Sequence, residues 1–91
     1  LDRPPIRRAV LERLPQIKAC YERALVTTPD LAGTVSTQFF IAPNGTVMSA
    51  NAAGVSPEVA SCVAAIIKAI EFPKPRGGGG VQVNYPFTFR Q

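Results

Sequence analysis

Apolar side chains recur at Ile6, Val10, Leu14, Ile17, Tyr21 and Leu25 in steps of four or three, with Arg7, Arg8, Glu12, Arg13, Lys18, Glu22 and Arg23 between them. That spacing lays one apolar stripe along a helix and predicts a helical segment over about residues 3–26. Pro15 falls inside the pattern, where it removes an amide donor and presses on the carbonyl of Leu11. The apolar phase runs through it, so a kink is expected in preference to a full break. Thr27-Thr28-Pro29-Asp30 ends the helix, because the residue before a proline is held out of the helical region.

The period then changes. Val35, Thr37, Phe39 and Ile41 alternate with Thr34, Ser36, Gln38 and Phe40, the mark of a half-buried strand over about residues 31–42. Asn44-Gly45 supplies a turn that accepts positive φ, and about residues 46–53 read as the return strand of a hairpin. Ser56-Pro57-Glu58 joins a hydroxyl cap, a proline in the first turn and an acid at the positive end of the dipole. They open a helix over about residues 56–70. Val59, Cys62, Val63, Ile66, Ile67 and Ile70 share one face of it, with Ala60, Ala64, Ala65 and Ala69 around them, so apolar cover is expected on nearly every side. Phe72 to Gly80 carries two Pro, at Pro73 and Pro75, and four consecutive Gly, and reads as a loop. Last, Val81, Val83, Tyr85, Phe87 and Phe89 alternate with Gln82, Asn84, Pro86, Thr88 and Arg90 over about residues 81–90.

The order α-β-β-α-β predicts an α+β two-layer sandwich. Placing the third strand beside the first gives a three-stranded antiparallel sheet in the order 2-1-3, with both helices on one face. Ninety-one residues make one such domain, spanning residues 1–91. The 46% hydrophobic and 18% charged composition is that of a globular chain and not of a disordered one. No apolar run nears the roughly 18 residues of a membrane span. A chain that opens at Leu1 without Met or a signal pattern is expected to be a piece of a larger protein, its targeting and anchoring segments lying elsewhere.

Chemistry narrows quickly. The sequence has no His and no Trp, and its two cysteines stand 42 apart, a spacing that matches no zinc motif. The six acids are dispersed, with no pair three or four apart, and the glycine run follows a helix instead of opening one. No catalytic residue, metal or cofactor is therefore expected. Cys20 and Cys62 both fall on apolar helix faces, so a disulfide is the favoured reading, with two buried thiols as the alternative. Closing a loop of that size stabilises by about 4 kcal/mol in the chain-entropy model.

Six of the ten basic residues (Arg3, Arg7, Arg8, Arg13, Lys18 and Arg23) lie in the first helical segment. Such a face is ordinarily just solvated, and as a docking surface the part around Arg7, Arg8 and Arg13 suits an acidic protein, an anionic glycan or lipid headgroups. Nucleic acid does not fit it, because no aromatic interleaves with these charges. Pro86 carries more information. It is tolerated in a sheet only where its nitrogen faces away from a neighbouring strand, which makes the last strand an edge. The outward set is then Gln82, Asn84 and Thr88, whose backbone groups are free to pair with a guest strand or with a second copy of the same edge, the alternative being that Pro86 serves only to blunt an aggregation-prone edge.

At this point the chain resembles TonB-type C-terminal domains, and specifically the AgmX/PglI C-terminal group of myxobacterial gliding-motility envelope proteins. The resemblance rests on Leu14-Pro15-Gln16-Ile17 leading to Cys20-Tyr21-Glu22-Arg23-Ala24-Leu25, and on Leu31-Ala32-Gly33, Phe40-Ile41-Ala42 and Asn44-Gly45. Val47, Ala50, Cys62, Phe72-Pro73-Lys74-Pro75 and Val83-Asn84-Tyr85-Pro86-Phe87-Thr88-Phe89 extend it over nearly the whole chain. It implies a periplasmic domain of an inner-membrane-anchored protein, in keeping with an oxidised Cys20–Cys62 pair. It also implies protein binding without catalysis, in which the last strand, with Gln82, Val83, Asn84, Tyr85 and Thr88, pairs with an extended segment of an outer-membrane or envelope protein and carries motor energy to it. Pro86 and the second cysteine depart from the enterobacterial transducer pattern, which turns the expected partner from a TonB-box receptor to an outer-membrane motility component.

Overall fold

The computed structural model describes residues 4–90, and within them the chain opens with two helices where the sequence predicts one. Helix α1 spans Pro4–Glu12 and helix α2 spans Leu14–Thr27. Arg3 and the expected helix start at residue 3 lie outside the described residues. Arg13 sits between the helices at φ −96° and ψ 0°, and its N–H donates to the Val10 carbonyl at 3.0 Å, a tightened last turn. The break has a simple cause. A proline in mid-helix has no amide for the i−4 carbonyl, whereas in the first turn that amide is unpaired anyway. By restarting at Leu14 the chain turns Pro15 from a defect into a first-turn residue, and Ile17 then donates to Arg13 at 3.0 Å.

Strands β1 (Gly33–Ile41), β2 (Val47–Ala53) and β3 (Val81–Phe89) form one antiparallel sheet in the order β2-β1-β3. Helix α3 runs over Pro57–Lys68 between β2 and β3, so the fold is α+β with the predicted strand order and three helices. The β1–β3 register is unbroken from Gly33↔Phe89 to Ile41↔Val81, while the β1–β2 pairing slips once between Phe40 and Ile41. A single 3-10 turn, Arg76–Gly78, interrupts the loop before β3.

The core lies between one face of the sheet and the helices. Val35, Phe39, Ile41, Val83, Phe87 and Phe89 from the sheet meet Ile17, Tyr21, Val59, Val63 and Ile67 from α2 and α3, and Ile6 and Val10 of α1 extend the same cluster. Tyr21 stacks on Phe89 with ring centroids 4.9 Å apart, and its hydroxyl donates to the Leu31 carbonyl. The opposite face carries exposed Thr34, Ser36 and Gln38 on β1 beside Gln82, Asn84 and Thr88 on β3.

Two details of packing go beyond the sequence pattern. Phe72, placed in the loop by its neighbours, is buried and stacks on Phe39 at 5.6 Å. Its N–H donates to Gly45 at 2.9 Å, and Gly45 has φ +94°, with only 2.2 Å between a would-be Cβ and the Phe72 carbonyl oxygen. Helix α3 is covered less fully than its alanines suggest. Val59, Ala60, Val63 and Ile67 are buried, but Ser61, Ala65 and Lys68 are exposed and Ala64 is only half-buried.

Candidate functional site

The site begins with one missing proton. Pro86 stands opposite Ser36 inside an unbroken register, and a nitrogen without a hydrogen breaks no ladder bond only if it faces away from β1. Backbone direction alternates along an antiparallel strand, so Gln82, Asn84 and Thr88 also present their N–H and C=O groups outward. The opposite parity has an independent marker, because the Tyr85 carbonyl accepts from the Thr37 hydroxyl of β1 at 2.6 Å. The edge of β3 is thus a row of unpaired backbone groups interrupted once, at Pro86.

Side chains follow the same alternation. Gln82, Asn84 and Thr88 are exposed, and Thr88 Oγ1 lies 3.2 Å from Thr34 Oγ1. Val83 belongs to the core and Tyr85 is half-buried, its ring 5.0 Å from that of Phe87. Of the five strand residues the sequence nominates, three stand on the outward set, while Val83 and Tyr85 turn their backbone to β1.

Beside this edge, on the helix side, are two adjoining depressions. One, of about 250 Å³, is walled by Leu11, Leu14 and Lys18 against Tyr85–Phe89. The other, of about 420 Å³, lies between Lys18, Tyr21, Glu22 and Leu25 on α2 and Thr88, Phe89 and Arg90. Lys18 borders both. Leu11 is 46% exposed, an apolar surface residue beside an open strand. An extended segment paired to β3 would direct alternate side chains into this trough, one position apolar against Leu11 and Leu14 and the next within reach of the Lys18 ammonium. The sequence pattern does not isolate Leu11 or Lys18, because one stands beside the apolar stripe and the other reads as part of a solvated charged face.

Cys20 and Cys62 are bonded, with 2.07 Å between sulfurs and 5.8 Å between Cα atoms, and no cysteine among the described residues is free. The bond ties α2 to α3 across the top of the core. The Arg23 guanidinium donates to Cys62 Sγ at 3.0 Å. Arg7 and Arg8 on α1 and Arg13 at the break are all exposed. Among the described residues no three His, Cys, Asp or Glu side chains gather as a metal site, and no helix is long and apolar enough to cross a membrane.

What the fold and this edge define is a two-layer α+β domain with an open, partly grooved sheet edge. Comparison with protein-family models, with curated proteins and with solved structures finds no match to the chain.

Proposed function

We propose that the domain is a non-enzymatic periplasmic binding module whose β3 edge takes up an extended segment of an outer-membrane or envelope protein, as TonB-type domains do. In this reading it belongs to an inner-membrane-anchored protein and links a motor to the outer envelope in gliding motility or a related energy transfer. The observation that carries the reading is the outward row at Gln82, Asn84 and Thr88 beside the trough bordered by Lys18. Main-chain pairing along such a row supplies affinity, and the trough supplies specificity. The Cys20–Cys62 bond favours an oxidising compartment, since such bonds persist outside the reducing cytosol.

The test is a backbone amide titration of the oxidised domain with extended peptides from candidate outer-membrane proteins. Shifts concentrated at Gln82, Asn84 and Thr88 support edge pairing. Shifts confined to Arg7, Arg8 and Arg13, weakening steeply with salt, would replace it with docking of an acidic protein or anionic glycan on the first helix. Shifts along β3 that grow with domain concentration and ignore peptide would mean that two copies pair through the last strand instead.

A further inference from the structure

The sheet has a second edge, β2, whose start is covered where Thr46 bridges Glu71 and whose remainder has no strand beside it among the described residues. Ser36 faces Pro86 on one side and Ala53 on the other, so its backbone groups bond toward β2. The turn below agrees, with the Ala42 N–H donating to Thr46 at 2.7 Å on that same side. By alternation Ala53, Asn51 and Ser49 bond inward, and the N–H and C=O groups of Ala50 and Ala52 face out. From Val47 to Ala53 there is no proline and no charged residue, the two devices that ordinarily protect a free strand.

Those outward groups border a groove of about 630 Å³ between β2 and α3. Its walls are Ala50 and Ala52 on the strand and Ala60, Ser61 and Ala64 on the helix, with no charged side chain among its lining residues. Small walls on both sides leave room for a second backbone, and the surface is complementary to itself. We propose that this face is a two-fold interface between copies of the chain, in which β2 pairs antiparallel with β2 of the second copy and the two α3 helices pack side by side.

The register follows from the parity. Setting Asn51 opposite Asn51 of the second copy brings Ala50 opposite Ala52, so that each outward N–H and C=O meets a partner. The two Asn51 amides then lie across from each other on the open face. Helix α3 lies mainly against β2, so pairing the two β2 strands at about 4.8 Å sets the second α3 beside the first, where the small residues Ser61 and Ala64 permit close approach. Charge fits the same arrangement. Helix α3 has Glu58 in its first turn and Lys68 in its last, so antiparallel copies bring each Glu58 toward the other copy's Lys68. The result is a six-stranded sheet that leaves both β3 edges free at its far ends, and it is independent of what β3 binds.

An interface of one strand pair and one helix pair is small, so the association is weak. Sedimentation equilibrium of the 91-residue chain from low micromolar to millimolar concentration is the test, with the mass expected to rise from 9.7 kDa toward twice that value. Ser61→Arg, at an exposed position, should weaken dimerisation by about tenfold or more while leaving the far-ultraviolet spectrum unchanged. Lys68→Glu alone should weaken it and Glu58→Lys with Lys68→Glu should restore it. A monomer at every concentration overturns the proposal. So does an association that Ser61→Arg leaves intact, and Asn84→Pro abolishing such a dimer would place it at β3.

Discussion

Tyr21 shows how much one side chain does in a domain of this size. Its ring lies against Phe89 of the edge strand, and its hydroxyl reaches the carbonyl of Leu31 just before β1. One residue of α2 therefore fixes the helix to the far edge of the sheet and also fixes the entry of the central strand. Tyr21→Phe keeps the stack and removes the donor. It should lower stability by about 1 kcal/mol in urea unfolding, and Tyr21→Ala by about 3–5 kcal/mol because the ring's burial is lost as well. Equal losses for the two variants would show that the hydroxyl carries all of it. Thr37, the one polar side chain buried among the described residues, makes a comparable short link from β1 to the Tyr85 carbonyl.

At the scale of elements, the β1–β2 turn and the Phe72 loop are one unit. Gly45 accepts a positive φ and lets the Phe72 backbone close to hydrogen-bond distance, which seats the Phe72 ring on Phe39. Gly45→Ala adds a methyl where only 2.2 Å is free and imposes a left-handed conformation on an L side chain. We expect a loss of more than 1 kcal/mol, with reduced amide protection at Phe72, since the loop must lift to relieve the contact. A variant as stable as the parent would mean the loop moves freely. Here the sequence was only half legible. The alternation of β1 and β3 and the Ser56 cap mark their elements without ambiguity, because burial on one face and a capping hydroxyl, here accepting from Val59 at 3.2 Å, are local in origin. Phe72 was not legible, because its burial depends on a glycine 27 positions earlier. The α1–α2 break was misjudged for a similar reason. The apolar phase continues across Arg13, yet phase records which side is buried and not whether the backbone bonds are continuous.

Over the whole molecule, the topology came from local signals: two periods, the Asn44-Gly45 turn and the helical crossover before β3. The helical crossover set β3 beside β1 and so gave the order β2-β1-β3, and Pro86 then marked β3 as an edge. What surrounds that edge did not follow, because the trough beside β3 is made by residues from α1 and α2 that each look ordinary in sequence. The groove beside β2 was hidden for the opposite reason. Alanines on a helix read as core, and only the finished sheet shows that α3 has no neighbour on that flank. Described residues extend over 45 × 19 × 19 Å, so the two edges run along a narrow body whose opposite sides are available at once.

The Cys20–Cys62 bond also sets how far the molecule can be drawn out. It joins two cysteines 42 positions apart, encloses β1 and β2 in a covalent loop and leaves α1 and β3 outside it. A load applied at the two ends can straighten only the outer segments, and the enclosed stretch passes tension straight across two sulfurs. In single-molecule stretching the oxidised chain should fall short of the reduced one by about 140 Å of contour, the length of the enclosed residues at about 3.5 Å each. Equal lengths with and without reductant would mean that the bond is not there to bear the load. With the bond in place, the β1–β2 hairpin stays tethered to itself even after every hydrogen bond of β3 has been pulled away.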